Sequence, residues 1–393
     1  MLTLLYPDLL SVVIGFLRLI DCASVFRTCS AVNHTVPVLF FSSVCHDVEG
    51  GIWLKSARIL KQQNKPLPRI RSLDAVTGSM WASLQKECLI PSSMQRICFS
   101  YAAGVGFNAM FTFGCLPAGM TALYFGYDFN QSIGLNELPK NLIKIHLGRS
   151  YNKPIAAGVL PSTLETIWLG DSFNQPLSIG CLPDSVTSLH VGIEFNQPIL
   201  PGCLPSSLTD LHLGYEFNQV LVPDVLPSSL TELVLSHSFN RPLYPGVLPN
   251  SLKKLHCGAN FNQPILPGCL PSSLTGLYFG TDFNQPLEKG VFPSLLVSLE
   301  FGDDFDHPFP PGVFPESLTK LVFGREFNGP LLPGHFPSSL KELHFGLYFY
   351  QTLCVGVLPQ SLTKLVFDTF YDMRFAPGVL PRSLKTVDYD RCF

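Results

Sequence analysis

The sequence predicts a repeat solenoid in which each turn contributes one short strand to a parallel β-sheet. Three observations predict it. Phe-Asn pairs begin at Phe107, Phe129, Phe173, Phe195, Phe217, Phe239, Phe261, Phe283 and Phe327, with Tyr151, Phe305, Phe349 and Tyr371 filling the same frame, so every step is 22 residues or a multiple of it. A proline row keeps that register from Pro117 to Pro381, thirteen times without exception. Each unit also carries apolar residues spaced like Leu208, Leu211 and Leu213, the last two alternating with other positions at the period of a strand. One turn cannot bury its own apolar face, but stacked turns share a continuous core.

Each part of the working consensus GVLPSSLTxLxFGxxFNQPLxP has a physical reading. The SLTxLxF segment has the spacing L-x-x-L-x-L, which leucine-rich repeats use for their strand. The glycine after it (Gly126, Gly148, Gly170, Gly192, Gly214) is expected to permit a sharp bend. The phenylalanine then turns inward and is expected to stack on its counterpart in the next turn at the strand spacing of about 4.8 Å. The asparagine points in as well, where its amide satisfies loop backbone groups. Pro-Gly marks the return turn, and Ser-Ser pairs such as Ser206-Ser207 are turn residues rather than nucleophiles. No window between repeats reads as a regular helix, so the side opposite the sheet is expected to be extended or 3₁₀-like.

Composition agrees with a large core: 46% of residues are hydrophobic and only 14% charged, with 31 Phe against 3 Trp. Net charge is −3 and no Lys/Arg cluster stands out, which disfavours nucleic acid and anionic membrane surfaces as partners. No apolar run has the roughly 18 residues of a membrane span. Of the 12 cysteines, Cys115, Cys181, Cys203 and Cys269 share a repeat position with Val159, Val225, Val247, Val313 and Val379. They read as small buried hydrophobes in a reducing compartment, and the expected location is the cytoplasm.

The chain divides into a helical segment at 1–48, a Lys-containing linker at 49–66, degenerate turns at 67–106 and the regular array at 107–393. In the first segment Leu9, Leu10, Val13, Ile14 and Leu17 form a helical stripe after Pro7 and Asp8, which suit a helix start. At the far end the last strand carries Asp388 and Asp390, charges that discourage edge-to-edge pairing.

The unit FNQPLxPGVLPSSLTxLxFG resembles the FNIP repeat, a leucine-rich-repeat relative common in amoebae and large DNA viruses, over roughly residues 90–393. The N-terminal segment is similar to an F-box through Tyr6-Pro7-Asp8-Leu9-Leu10, Ile14, Phe16-Leu17, Asp21 and Val25-Phe26-Arg27-Thr28-Cys29. Together the resemblances imply the substrate receptor of an SCF-type ubiquitin ligase. Pro7, Leu9, Leu10, Ile14 and Leu17 would face a Skp1-like adaptor, and the repeats would hold a protein substrate. The alternative is a stand-alone interaction scaffold whose N-terminal helices only cap the solenoid.

The candidate partner surface is the outward strand position, the x of LxF. Its candidates are Tyr124, His146, Trp168, His190, His212, His256 and Tyr278, and the same row continues through Val234, Glu300, Val322, His344 and Val366. Aromatic and imidazole side chains are typical binding anchors, although sheets select aromatics in any case. His190 and His212 should lie on adjacent turns, about 4.8 Å apart. No carboxylate or thiolate is read as completing a ligand set there, so no metal site is expected, nor a cofactor. The acidic row Glu194, Glu216, Asp282, Asp304 and Glu326 reads as a solvated rim. No nucleophile, phosphate-loop or zinc-ligand motif is found. The expectation is a monomeric, non-enzymatic binding scaffold.

Overall fold

The computed structural model describes Arg58, residues 61–62 and residues 71–389, the last range except for 88, 100–103, 105, 111–113 and 372–373. Pro7, Leu9, Leu10, Ile14 and Leu17, and Asp390 at the other end, lie outside the described residues.

The chain enters through β1 (Ser72–Val76) and α1 (Gly78–Lys86), followed by β2 (Arg96–Phe99). Strands β3 (Ala122–Tyr124), β4 (Lys144–His146), β5 (Thr166–Trp168), β6 (Ser188–His190), β7 (Asp210–His212), β8 (Glu232–Val234) and β9 (Lys254–His256) follow at the repeat interval. The array continues with β10 (Gly276–Tyr278), β11 (Ser298–Glu300), β12 (Lys320–Val322), β13 (Glu342–His344), β14 (Lys364–Phe367) and β15 (Thr386–Tyr389). All lie in one 15-stranded sheet in chain order, each pairing in parallel with its sequence neighbours, as Leu211 does with Leu189 and Leu233. This is a right-through parallel stack of 22-residue turns, as the sequence predicts.

The turn chemistry explains the repeat. At Leu200-Pro201-Gly202-Cys203 the Cys203 amide donates to the Leu200 carbonyl (3.1 Å), and Gly202 has φ 82°. Proline second and a left-handed glycine third make this a type II turn. After Leu-Pro, the Leu208 amide donates to the Pro205 carbonyl (3.1 Å). Ser207 Oγ donates to the Val186 carbonyl of the preceding turn (2.7 Å), so the second serine of each pair stitches turns together. The asparagine row does so more regularly. The Asn218 amide donates to Asn196 Oδ1 (3.0 Å), Asn240 to Asn218 (3.0 Å), and Gln219 Nε2 also reaches Asn196 Oδ1 (2.9 Å).

Inside, Phe195, Phe217 and Phe239 are fully buried. Their ring centroids are 6.0 and 6.2 Å apart, wider than the strand spacing of about 4.8 Å expected for the column. A second column, from the phenylalanine ending each strand, is closer: 5.6 Å for both Phe279–Phe301 and Phe301–Phe323. Equivalent rings on successive turns report the local separation of those turns. The turns therefore fan apart away from the sheet, and the sheet lies on the concave side.

The glycine after the strand is favoured for a reason other than the expected bend. Among the described residues of that row only Gly148 and Gly214 have positive φ (80° and 64°). A Cβ on Gly302 would fall 1.7 Å from the Gly280 carbonyl oxygen, so the row marks where consecutive turns approach closely; Ser236 and Asp368 take the position in two turns, buried and hydrogen-bonded. The first turn departs from the others. Instead of an extended return it carries α1, capped by Thr77, whose hydroxyl accepts from the Met80 amide (3.2 Å). Met80, Trp81 and Leu84 are buried, and Trp81 packs edge-on against Phe99 and Phe107 at 5.4 and 6.2 Å. No helix among the described residues is long and apolar enough to cross a membrane.

Candidate interaction face

On a three-residue strand the middle side chain enters the core and the two flanking ones leave on the same face, because the side-chain period is two. Each turn from β3 onward therefore presents two outward positions to the concave side. One is the row containing Tyr124, His146, Trp168, His190, His212, His256 and Tyr278. Trp168 is 43% exposed and the other six are half-buried. Parallel register brings them into contact. His146 meets Trp168 edge-on at 5.3 Å, Trp168 meets His190 at 4.9 Å, and His190 stacks on His212 at 4.1 Å and 28°. His256 stacks on Tyr278 at 4.3 Å, while Tyr124 lies beneath the Arg96 guanidinium at 5.1 Å.

Val322 and Val366 in this row are buried, 5% and 2% exposed, contrary to the expectation that every occupant faces solvent. Val322 is flanked in register by Glu300 and His344, and Val366 by His344 and Asp388. A short branched side chain between longer neighbours on a concave sheet is covered by them.

The second outward row, two residues earlier on each strand, is missed by reading only the x of LxF. It includes Asp210, Glu232, Lys254, Glu342 and Lys364. Its signal was the same period of two that placed the first row. These charges pair with the imidazoles and with each other. His344 Nε2 is 2.6 Å from Glu342 Oε1, Lys364 Nζ is 3.3 Å from the same oxygen, and His256 Nε2 is 3.9 Å from Glu232 Oε1. His212 Nε2 lies 3.1 Å from Asp210 Oδ1. The reading that no carboxylate accompanies His190 and His212 is thus corrected: Asp210, His190 and His212 place ligand-type atoms within 4.8 Å of one another.

Burial keeps several of these imidazoles neutral. It holds His190 down to about 4, aided by His212 and His146. It also lowers His146 and His256, and lowers His344 against the opposing pull of Glu342. At neutral pH the face offers neutral rings that can stack and accept hydrogen bonds. Outside this face, Glu194, Glu216, Asp304 and Glu326 are exposed and Asp282 is half-buried, as a solvated rim requires. Cys181, Cys203 and Cys269 are buried in the valine row, and Cys115 is half-buried.

No functionally curated protein matches the chain. Among solved structures, the circular leucine-rich-repeat protein CroV588 is 38% identical with a TM-score of 0.72, over 79% of this chain and 48% of that one. The chain thus spans about half the length of CroV588 (48%). The Toll–Spatzle complex of Drosophila matches at 14% identity and a TM-score of 0.42, over 83% of this chain and 43% of that one. The FNIP Repeat pattern matches residues 129–172, 173–216, 217–259, 261–304, 305–348 and 349–388. These tandem matches follow the 22-residue stack of phenylalanine and asparagine columns just described, and the chain belongs to the FNIP repeat family.

Proposed function

We propose that this chain is a non-enzymatic protein-binding scaffold that serves as the substrate-recognition subunit of an SCF-type ubiquitin ligase in the cytoplasm. The repeats hold a protein substrate on the concave face, and Pro7, Leu9, Leu10, Ile14 and Leu17 dock on a Skp1-like adaptor. The observation that carries the binding role is the continuous row His146–Trp168–His190–His212, rings in contact from turn to turn at 5.3, 4.9 and 4.1 Å. Large rings held rigidly on a sheet bind with little loss of side-chain freedom. A repeat solenoid of this type is compatible with such a role, and its extended concave surface suits a protein rather than a small molecule.

The adaptor role draws support from α1. The rival reading uses the N-terminal helices only to cover the open end of the core. Trp81 packs edge-on against Phe99 and Phe107 at the start of the phenylalanine column, so α1 already shares in that task.

Affinity capture with a purified Skp1 separates the two readings. The intact chain is expected to retain Skp1, and a chain lacking residues 1–45 to lose it. Retention by the truncated chain, or none by the intact one, overturns the adaptor role. Capture of substrate by the intact protein and by the double variant Trp168→Ala with Tyr278→Ala tests the face. Equal capture by a folded double variant overturns its assignment.

A further inference from the structure

The sheet places two imidazoles and a carboxylate together at one point of the concave face. His190 and His212 are register partners on β6 and β7, and Asp210 is the partner of Ser188 on the same two strands. The backbone beneath is fixed by the Thr209 amide donating to the Thr187 carbonyl and the Val191 amide donating to the His212 carbonyl, both 2.9 Å. The rings stack at 4.1 Å, and the ligand-type atoms of all three residues lie within 4.8 Å of one another. Among the described residues this is the one such cluster.

Asp210 supplies an independent observation. Its Oδ1 is enclosed and makes no well-aligned hydrogen bond; its close neighbour is His212 Nε2 at 3.1 Å. An enclosed carboxylate oxygen with one poorly aligned neighbour is incompletely satisfied, and a cation between it and the imidazole would complete its coordination. Contrast His344, whose Nε2 lies 2.6 Å from Glu342 Oε1 in a formed hydrogen bond. There the adjacent strands present Val322 and Val366, so no second imidazole is available.

We propose that His190, His212 and Asp210 bind a divalent transition-metal ion, with zinc the best fit. Imidazole nitrogen with carboxylate oxygen suits zinc and its neighbours rather than magnesium or calcium, which take oxygen ligands. Zinc ligands at about 2.0–2.2 Å in a tetrahedral arrangement stand roughly 3.2–3.5 Å from each other. The His212–Asp210 separation of 3.1 Å is already close to that; His190, whose Nε2 lies 3.3 Å from Ser188 Oγ, is within 4.8 Å of both and would turn from that hydroxyl to become the third ligand. Trp168 walls one side at 4.9 Å from His190. The fourth position faces the concave groove, open to water or to a side chain of a bound protein.

The test is titration of the full-length, chelator-treated protein with zinc chloride by calorimetry, with magnesium chloride as control. One saturable zinc site is expected, weakened at least tenfold by each of His190→Ala, His212→Ala and Asp210→Asn and unchanged by His344→Ala. Circular dichroism confirms that each variant is folded. Because cysteines elsewhere in the chain can also take zinc, cobalt spectra accompany the titration. A site without thiolate charge-transfer bands is expected. No saturable zinc uptake by the intact protein, uptake unaffected by the three substitutions, or a cobalt spectrum dominated by thiolate bands would overturn the site.

Discussion

Truncating Phe217 tests the claim that stability resides in columns shared between turns. The side chain is fully buried, between Phe195 at 6.0 Å and 5° and Phe239 at 6.2 Å and 3°. Replacing a buried phenylalanine by alanine costs about 3–5 kcal/mol, the lost transfer energy plus the cavity left behind. Phe217→Leu refills most of the volume but removes both ring contacts, each worth about 0.5–1.5 kcal/mol, so its cost is about 1–3 kcal/mol. Guanidinium unfolding followed by circular dichroism gives the two values and their order. Hydrogen exchange gives their location. Each turn contacts only its neighbours, so amides near residues 191–239 should exchange faster in the alanine variant while those of β12 to β14 keep their protection. A cost below about 1 kcal/mol for alanine, equal costs for the two variants, or protection lost evenly along the array would refute the reasoning.

Three further outcomes follow from the same geometry. Gly302→Ala should be far more damaging than Gly290→Ala: the first forces a Cβ to 1.7 Å from a backbone oxygen, whereas the second meets nothing within 4 Å and bears only the strain of φ 84°. That strain is about 1–2 kcal/mol, and thermal melts in which the two variants are equally stable would contradict the close-approach argument. His335 occupies the valine row, 5% exposed, where its Nδ1 accepts from the Leu332 amide (3.3 Å), and burial lowers its pKa from 6.5. A depressed folded-state pKa means that the unfolded chain binds the proton first, so the stability it confers is complete above pH 6.5 and is lost as pH falls toward the folded value. His335→Val should make the loss of melting temperature between neutral and mildly acidic pH shallower, and an unchanged slope would show that His335 does not contribute to it. Differential alkylation read by mass spectrometry should label the exposed Cys354 in the native protein and spare the buried Cys257, whose thiol burial also pushes up. Equal labelling of the two would mean that the core of those turns is open.

The interior was legible in the sequence because it is written redundantly. Phe217, Asn218, Leu211, Pro205 and Ser207 recur at one interval, and each recurrence reports the same environment, so register alone placed the columns. What the sequence did not reveal are properties that differ along the radius of the stack. The 22-residue interval is identical at the sheet and at the phenylalanine column, yet turn separation rises from about 4.8 Å to 6.2 Å at Phe217–Phe239. The glycine row was recognisable, but its cause was not. A left-handed bend and a carbonyl of the preceding turn close to Cα both favour glycine, and only the contact at Gly302 tells them apart. The first turn was obscured for the opposite reason. Its α1 has no counterpart elsewhere in the array, so the repeat offered no second copy to read it against.

The concave face follows a different logic, and it explains why a search for motifs along the chain finds no site. Residues that meet there are separated by two positions or by one repeat: Asp210 and His212 on one strand, His190 and His212 across two. Neither spacing belongs to a familiar local ligand motif. The outward positions form a grid of two rows crossing the strands, in which any pair of neighbours can be combined while the leucine, phenylalanine and asparagine columns beneath stay constant. The same backbone accordingly carries Trp168, His190, His212, Val234 and Tyr278 in turn without a change of register. Stability is set by what every repeat shares, and recognition by where one repeat differs from the next. A constellation such as His190, His212 and Asp210 can therefore arise by substitution at single outward positions, with no requirement that the fold accommodate it.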